Sequence, residues 1–135
     1  MPKMIFINLP VTDLAAATRF YAAIGCTRNM QFSDDNASCM VWSESIMFML
    51  LKHEYFSTFT PKQIANAHAV SEVLMALSCD TRADVDRMVE TAAANGGKAD
   101  IRASQDLGFM YGRTFADPDG HIFEPAWMDP AAVVS

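Results

Sequence analysis

Two capped helices, each preceded by one apolar strand and followed by three short ones, constrain this chain of 135 residues more than any other feature. The first reads "TDLAAATRFYAAIG", Thr12 to Gly25. Thr12 or Asp13 supplies the N-cap, Leu14, Ala17, Phe20, Tyr21 and Ile24 recur at three- and four-residue steps, and Gly25 stands where a left-handed C-cap residue belongs. The second reads "TRADVDRMVETAAANGG", Thr81 to Gly97. Thr81 and Asp84 have the spacing of a capping box with Asp in place of Glu, Val85, Met88, Val89 and Ala92 form the stripe, and Asn95-Gly96-Gly97 stops it. The two helices therefore end about 70 residues apart, a repeat of pattern with little identity between its copies.

The flanking segments complete the pattern. "MIFINLPV" (4–11) is an apolar strand ending near Pro10, and about 27–32, "ASCMVWS" (37–43) and "SIMFMLLK" (45–52) are the three strands after helix 13–24, with "SDDN" (33–36) as a turn. In the second half "EVLMALSC" (72–79) precedes helix 82–95, and about 98–103, "GFMYGRTF" (108–115) and "HIFEPAWM" (121–128) follow it. Between them "TPKQIANA" (60–67), with a Thr cap and Pro in the first turn, predicts a short helix. The order is βαβββ twice: an α+β fold in one domain of 1–135, with modules about 1–55 and 72–130 and a connection about 53–71. Two such units can curl their sheets around one shared cleft.

Composition narrows the function classes. The formal net charge is −6 and no Lys/Arg cluster is present, which argues against a nucleic-acid partner. No apolar run reaches the length of a membrane helix, and the N-terminus has too short an apolar stretch for a secretory signal. Cys26, Cys39 and Cys79 are odd in number and widely spaced, a poor disulfide or zinc framework, and fit reduced, buried thiols in a cytoplasmic protein. The hydrophobic fraction of 51% fills a core and leaves apolar surface for a pocket or a partner chain.

"INLPVTDLAAATRFYAAIG" (7–25), the doubled βαβββ order and "FADPDGHIFE" (115–124) together resemble the vicinal oxygen chelate superfamily, which includes glyoxalase I, extradiol dioxygenases and bleomycin-resistance proteins. The resemblance covers nearly the whole chain. It implies paired βαβββ modules forming an incomplete barrel around a cleft, commonly in a homodimer. It also implies one divalent metal held by His, Gln or Glu from four strands. The last of these matches Glu124. The other three match Phe6, the neighbourhood of Met49 (with Met47 and Leu51 on the same face) and Leu74, none of which offers a hard donor. No metal and no other cofactor is therefore expected at those positions. His121 lies three places from Glu124 and so on the opposite strand face, while His53 and His68 read as solvated loop residues.

Strand alternation then populates the cavity. Phe6 brings Met4 and Asn8, Leu74 brings Ala76 and Ser78, and Glu124 brings Ile122 and Ala126, while Phe123 and Trp127 face away. Such a cavity is apolar, with Asn8, Ser78 and Glu124 as polar points. Tyr111 and Arg113 share one face of their strand, and Arg113 is available to Glu124, to an anionic ligand, or to the outer surface. Two functions fit. One is a binding module that takes up a small apolar or aromatic molecule, contacted by Phe6, Asn8, Met49, Leu74, Ser78, Tyr111 and Arg113. The other is an active lyase or dioxygenase in which Glu124 is the catalytic group, a general acid or base, with a relocated or weakly held divalent metal.

Overall fold

The computed structural model describes residues 2–132 and divides into two compact units between Asn66 and Ala67. In the first unit β1 (Ile5–Val11) leads into α1 (Leu14–Ile24), then β2 (Thr27–Asn29), β3 (Ala37–Val41) and β4 (Ile46–Lys52). The sheet order is β1-β4-β3-β2, with β1 and β4 parallel and the other pairs antiparallel. Asp13, not Thr12, makes the cap: its Oδ1 accepts from Ala16 N at 3.0 Å. Gly25 closes the helix at φ 126°, where a side chain would be strained. The turn expected at 33–36 is held by Asp34, whose Oδ1 accepts from Asn36 N and Ala37 N.

α1 buries Ala17, Phe20, Tyr21 and Ile24 against the sheet face that carries Leu9, Val11, Met40, Phe48 and Leu50. The Tyr21 and Phe48 rings meet at 5.6 Å. Burial of each such aromatic or aliphatic side chain contributes about 1.5–3 kcal/mol. The alternation forced by the strand period leaves Phe6, Asn8, Met47 and Met49 on the opposite face, in adjacent register (Phe6↔Met47, Asn8↔Met49).

The second unit repeats this plan. β5 (Leu74–Cys79) leads into α3 (Arg82–Ala94), and β10 (Ile122–Met128) returns parallel to β5. The two strands expected in between are each interrupted. The first becomes β6 (Lys98–Ala99) and β7 (Gln105–Asp106), the second β8 (Met110–Gly112) and β9 (Phe115–Ala116). β8 and β9 both pair with β10, β7 pairs with β8 and β6 with β9, so the lateral order matches that of the first sheet. Two residues account for the interruptions. Asp100 takes φ 54°, which is not an extended conformation. Pro125, buried in β10, has no N–H to give, and the ladder opens between the pairs Phe123↔Phe115 and Ala126↔Gly112 that flank it.

Thr81 caps α3 as its spacing indicated, its Oγ1 accepting from Asp84 N at 3.0 Å. Val85, Val89 and Ala92 are buried on the sheet side with Leu77, Phe115 and Phe123, and the last two rings stack at 5.2 Å.

The helix expected at 60–67 does not form. Thr60 Oγ1 accepts from Lys62 N at 3.1 Å, but the chain continues without regular structure, and the one short helix of this region is α2 (His53–Phe56), just upstream. A segment of that length gains little from its own hydrogen bonds, and of its side chains only Thr60, Ile64 and Ala67 are even half-buried, so packing supplies no compensation.

Candidate functional site

"DPDG" is a self-contained turn. Asp117, 2% exposed, accepts from Asp119 N at 2.9 Å and His121 N at 2.8 Å through Oδ1, while Gly120 N donates to Asp117 O. The turn delivers β10, on which Phe123 and Pro125 point toward α3 and Ile122, Glu124 and Ala126 point away. On the neighbouring β5, Leu74, Ala76 and Ser78 lie beside Ile122, Glu124 and Ala126 respectively. Leu74, Ser78 and Glu124 therefore share one open face of the second sheet. Leu74 is 56% exposed there. Phe6, Asn8 and Met49 share the open face of the first sheet, as β-strand alternation requires.

Glu124 is not alone. Arg102 Nη2 donates to its Oε2 at 2.6 Å, and among the described residues this is the only polar partner Glu124 has. Arg102 is positioned from behind: its backbone N–H donates to Thr114 Oγ1 at 3.2 Å, and Thr114 is buried. The pair is partly open to solvent, with side-chain exposures of 40% and 23%. Ile101, next to Arg102, and Ile122, on the face of Glu124, both line a hollow of about 280 Å³ whose rim also holds His68, Lys98 and Asp117.

Arg113 does not pair with Glu124. Its strand face turns toward α3, where its Nη1 donates to Asp86 Oδ1 at 3.0 Å and its Nε and Nη2 form a fork on Asp100 at 3.0 and 2.8 Å. The Tyr111 hydroxyl donates to the same Asp86 oxygen at 2.6 Å. The Tyr111 hydroxyl and then Arg113 hold the Asp86 carboxyl below its ordinary range, and Arg113 does the same to Asp100. Tyr111 and Arg113 thus tie the sheet to α3 on the face opposite Glu124. The sequence makes Arg113 a candidate cation for Glu124 and gives no comparable pointer to Arg102. Arg102 was visible as an arginine inside an expected strand, but the kink at Asp100 that turns it toward Glu124 has no obvious signal.

Among the described residues no group of three or more His, Cys, Asp or Glu side chains could hold a metal ion. Phe6, Met49 and Leu74 bring no oxygen or nitrogen, and the carboxylate of Glu124 is engaged by a guanidinium. This donor set does not fit a hard divalent ion. The cysteines are free; burial raises all three thiols and pushes Cys26 up to about 12, which removes it as a thiolate nucleophile near neutral pH.

The model of the Glyoxalase/Bleomycin resistance protein/Dioxygenase superfamily matches residues 3–124. The chain belongs to this superfamily. Solved structures agree in fold. A hypothetical protein from S. aureus aligns with a TM-score of 0.78 at 24% identity, over 94% of each chain. A glyoxalase/bleomycin resistance protein/dioxygenase family enzyme from Burkholderia phytofirmans PsJN has a TM-score of 0.78 at 17% identity, over 94% of this chain and 99% of its own. The fosfomycin resistance protein FosX from Mesorhizobium loti has a TM-score of 0.68 at 17% identity, over 97% of this chain and 96% of its own. No curated protein sequence matches significantly. The α+β fold is thus that of the glyoxalase superfamily, and at these identities the structural likeness speaks to fold alone. Among the described residues no helix is long and apolar enough to cross a membrane.

Proposed function

We propose that this superfamily member works without a metal and binds a small apolar or aromatic molecule on the open face of its second sheet. The observation that carries the reading is the Arg102–Glu124 pair. The one hard metal donor that the family motif supplies is occupied by a guanidinium of the same chain at 2.6 Å. What surrounds the pair suits a ligand. Leu74, Ala76, Ile122 and Ala126 give an apolar floor with Ser78 at its edge, and the adjoining hollow of about 280 Å³ has the volume of a very small ligand pocket. Phe6, Asn8 and Met49 form the corresponding open face of the first sheet; Tyr111 and Arg113, turned toward α3, support the second sheet from its other side.

The reading includes a homodimer formed through apolar surface and a cytoplasmic protein with reduced thiols. Sedimentation checks the first: a monomer at micromolar concentration and above removes it. For the function itself, protein purified without chelator is analysed for metal and by native mass spectrometry for retained molecules. A retained small molecule with far less than one metal per chain supports the reading. Near-stoichiometric metal on Glu124, or turnover of a dicarbonyl, replaces it with that of an active lyase or dioxygenase.

A further inference from the structure

The geometry points to Arg102 and Glu124 acting together as a donor–acceptor couple that selects an uncharged ligand group, one carrying a hydrogen-bond acceptor beside a donor, such as a primary carboxamide or a hydroxy-ketone. This inference rests on the binding function proposed above and names the ligand class of that site.

Both partners keep unused capacity. Glu124 uses Oε2 for Arg102, and Oε1 has no partner among the described residues. Arg102 uses Nη2 for Glu124, makes one long contact of 3.4 Å from Nη1 to Ala103 O, and leaves Nε–H without an acceptor. An open acceptor and open donors thus lie side by side on a partly solvated face. Because the two charges cancel, neither sign of ligand is favoured overall. An anion meets Arg102 but also the carboxylate next to it, and a cation meets the reverse. Desolvating an ion on an apolar floor without a net opposite charge is costly. A neutral group that accepts from the guanidinium and donates to Oε1 satisfies both partners and leaves their mutual bond intact. The backbone bond to buried Thr114 fixes where the Arg102 side chain starts, and the bond to Glu124 orients its guanidinium, so the recognition is geometric as well as electrostatic.

Three probes of one shape test this at pH 7: benzamide, benzoate and benzylamine, the last as its ammonium. Binding to the full chain is read by ligand-observed NMR and amide shift perturbation at millimolar concentrations. Benzamide should bind about tenfold tighter than either ion, or about 1.4 kcal/mol. The variants should invert the order. Glu124→Gln leaves a lone guanidinium and should turn the preference to benzoate. Arg102→Gln leaves a lone carboxylate and should turn it to benzylammonium. Circular dichroism and melting confirm that each variant is folded. Equal binding of all three probes, or a preference that neither variant changes, overturns the couple as the selector while leaving the binding function standing. If none of the probes binds and no neutral aromatic molecule does either, the binding function falls and the inference with it.

Discussion

The backbone nitrogen of His68 lies 2.6 Å from the position a Cβ on Gly120 would occupy, with the Ala67 carbonyl carbon and oxygen at 2.7 and 2.9 Å. Gly120 also takes φ 93°. The fourth residue of the "DPDG" turn is thus fixed twice, by its own dihedral and by the backbone laid against it. Any side chain must push main chain, which cannot rotate away as a side-chain tip can. Gly120→Ala is expected to cost about 2–4 kcal/mol. Gly108 at φ 82° is the control. Its Cβ would meet nothing within 4 Å, so Gly108→Ala carries the dihedral strain alone and should cost less. Urea melts of the two variants, compared by midpoint, check the order.

The network under the second sheet gives a pH dependence with a definite sign. Asp86 and Asp100 have folded-state values below their ordinary range, held there by Tyr111 and Arg113 in the first case and by Arg113 in the second. Asp106 is held down to about 2, chiefly by Arg82. A carboxyl that is more acidic when folded contributes stability above its unfolded value near 3.8 and loses it as pH falls through the folded one. Stability should therefore fall between about pH 4 and pH 2. Arg113→Gln should cost about 2 kcal/mol near neutrality and flatten that slope, because Arg113 is 15% exposed and serves two carboxylates. Tyr111→Phe should cost about 1 kcal/mol. Denaturant melts across this pH range separate the two: a slope unchanged in Arg113→Gln removes the network as its source.

The half-exposed Arg102–Glu124 pair is expected to stabilise the fold only slightly. Glu124→Gln and Arg102→Gln should each cost about 1 kcal/mol or less, and a double-mutant cycle should return a coupling of about 0.2–1 kcal/mol that shrinks in high salt. A coupling well above that range would mean that the pair is buried in solution, for instance by a partner chain, and would change how its exposure is read.

How far the sequence spoke is visible in the two halves. Where capping, periodicity and a C-terminal glycine agreed, as in α1 and α3, the helices end within a residue of the expected positions. β1, β3 and β4 of the first sheet followed from apolar runs and a turn built on Asp34, whereas the strand expected at about 27–32 stops at Asn29 and continues as a 3-10 turn over Met30–Phe32. The interrupted strands of the second sheet did not follow. Asp100 at positive φ is a backbone state that tertiary contacts impose, its N–H donating to Thr114 O and its carboxylate held by Arg113. Pro125 was in plain view within "HIFEPAWM", but its effect falls on the neighbouring strand, which local patterning cannot report. The same limit hid Arg102. A partner 22 residues away in sequence is a long-range fact, whereas Glu124 itself stood out as an acid among apolar neighbours.

Metal binding gives the last prediction. Freeing Glu124 by Arg102→Ala should not create a metal site. The side chains that share its face, Leu74, Ala76, Ser78, Ile122 and Ala126, contribute one hydroxyl and no nitrogen or second carboxylate. Zn²⁺ requires three or four protein donors, and hard ions such as Mn²⁺ need several oxygens. A ligand that binds the folded state shifts its melting point by mass action, so the readout is direct. Melting of wild type and Arg102→Ala should be unmoved by Mn²⁺, Zn²⁺ or Ni²⁺ at concentrations well above those that saturate a three-ligand site. A stabilisation in Arg102→Ala alone would show that the guanidinium stands in the way of a usable site, with donors arriving from residues not on this face. A stabilisation of the wild type as well, lost in Glu124→Gln, would show that the ion displaces Arg102, and the metal-free reading of this superfamily member would be withdrawn.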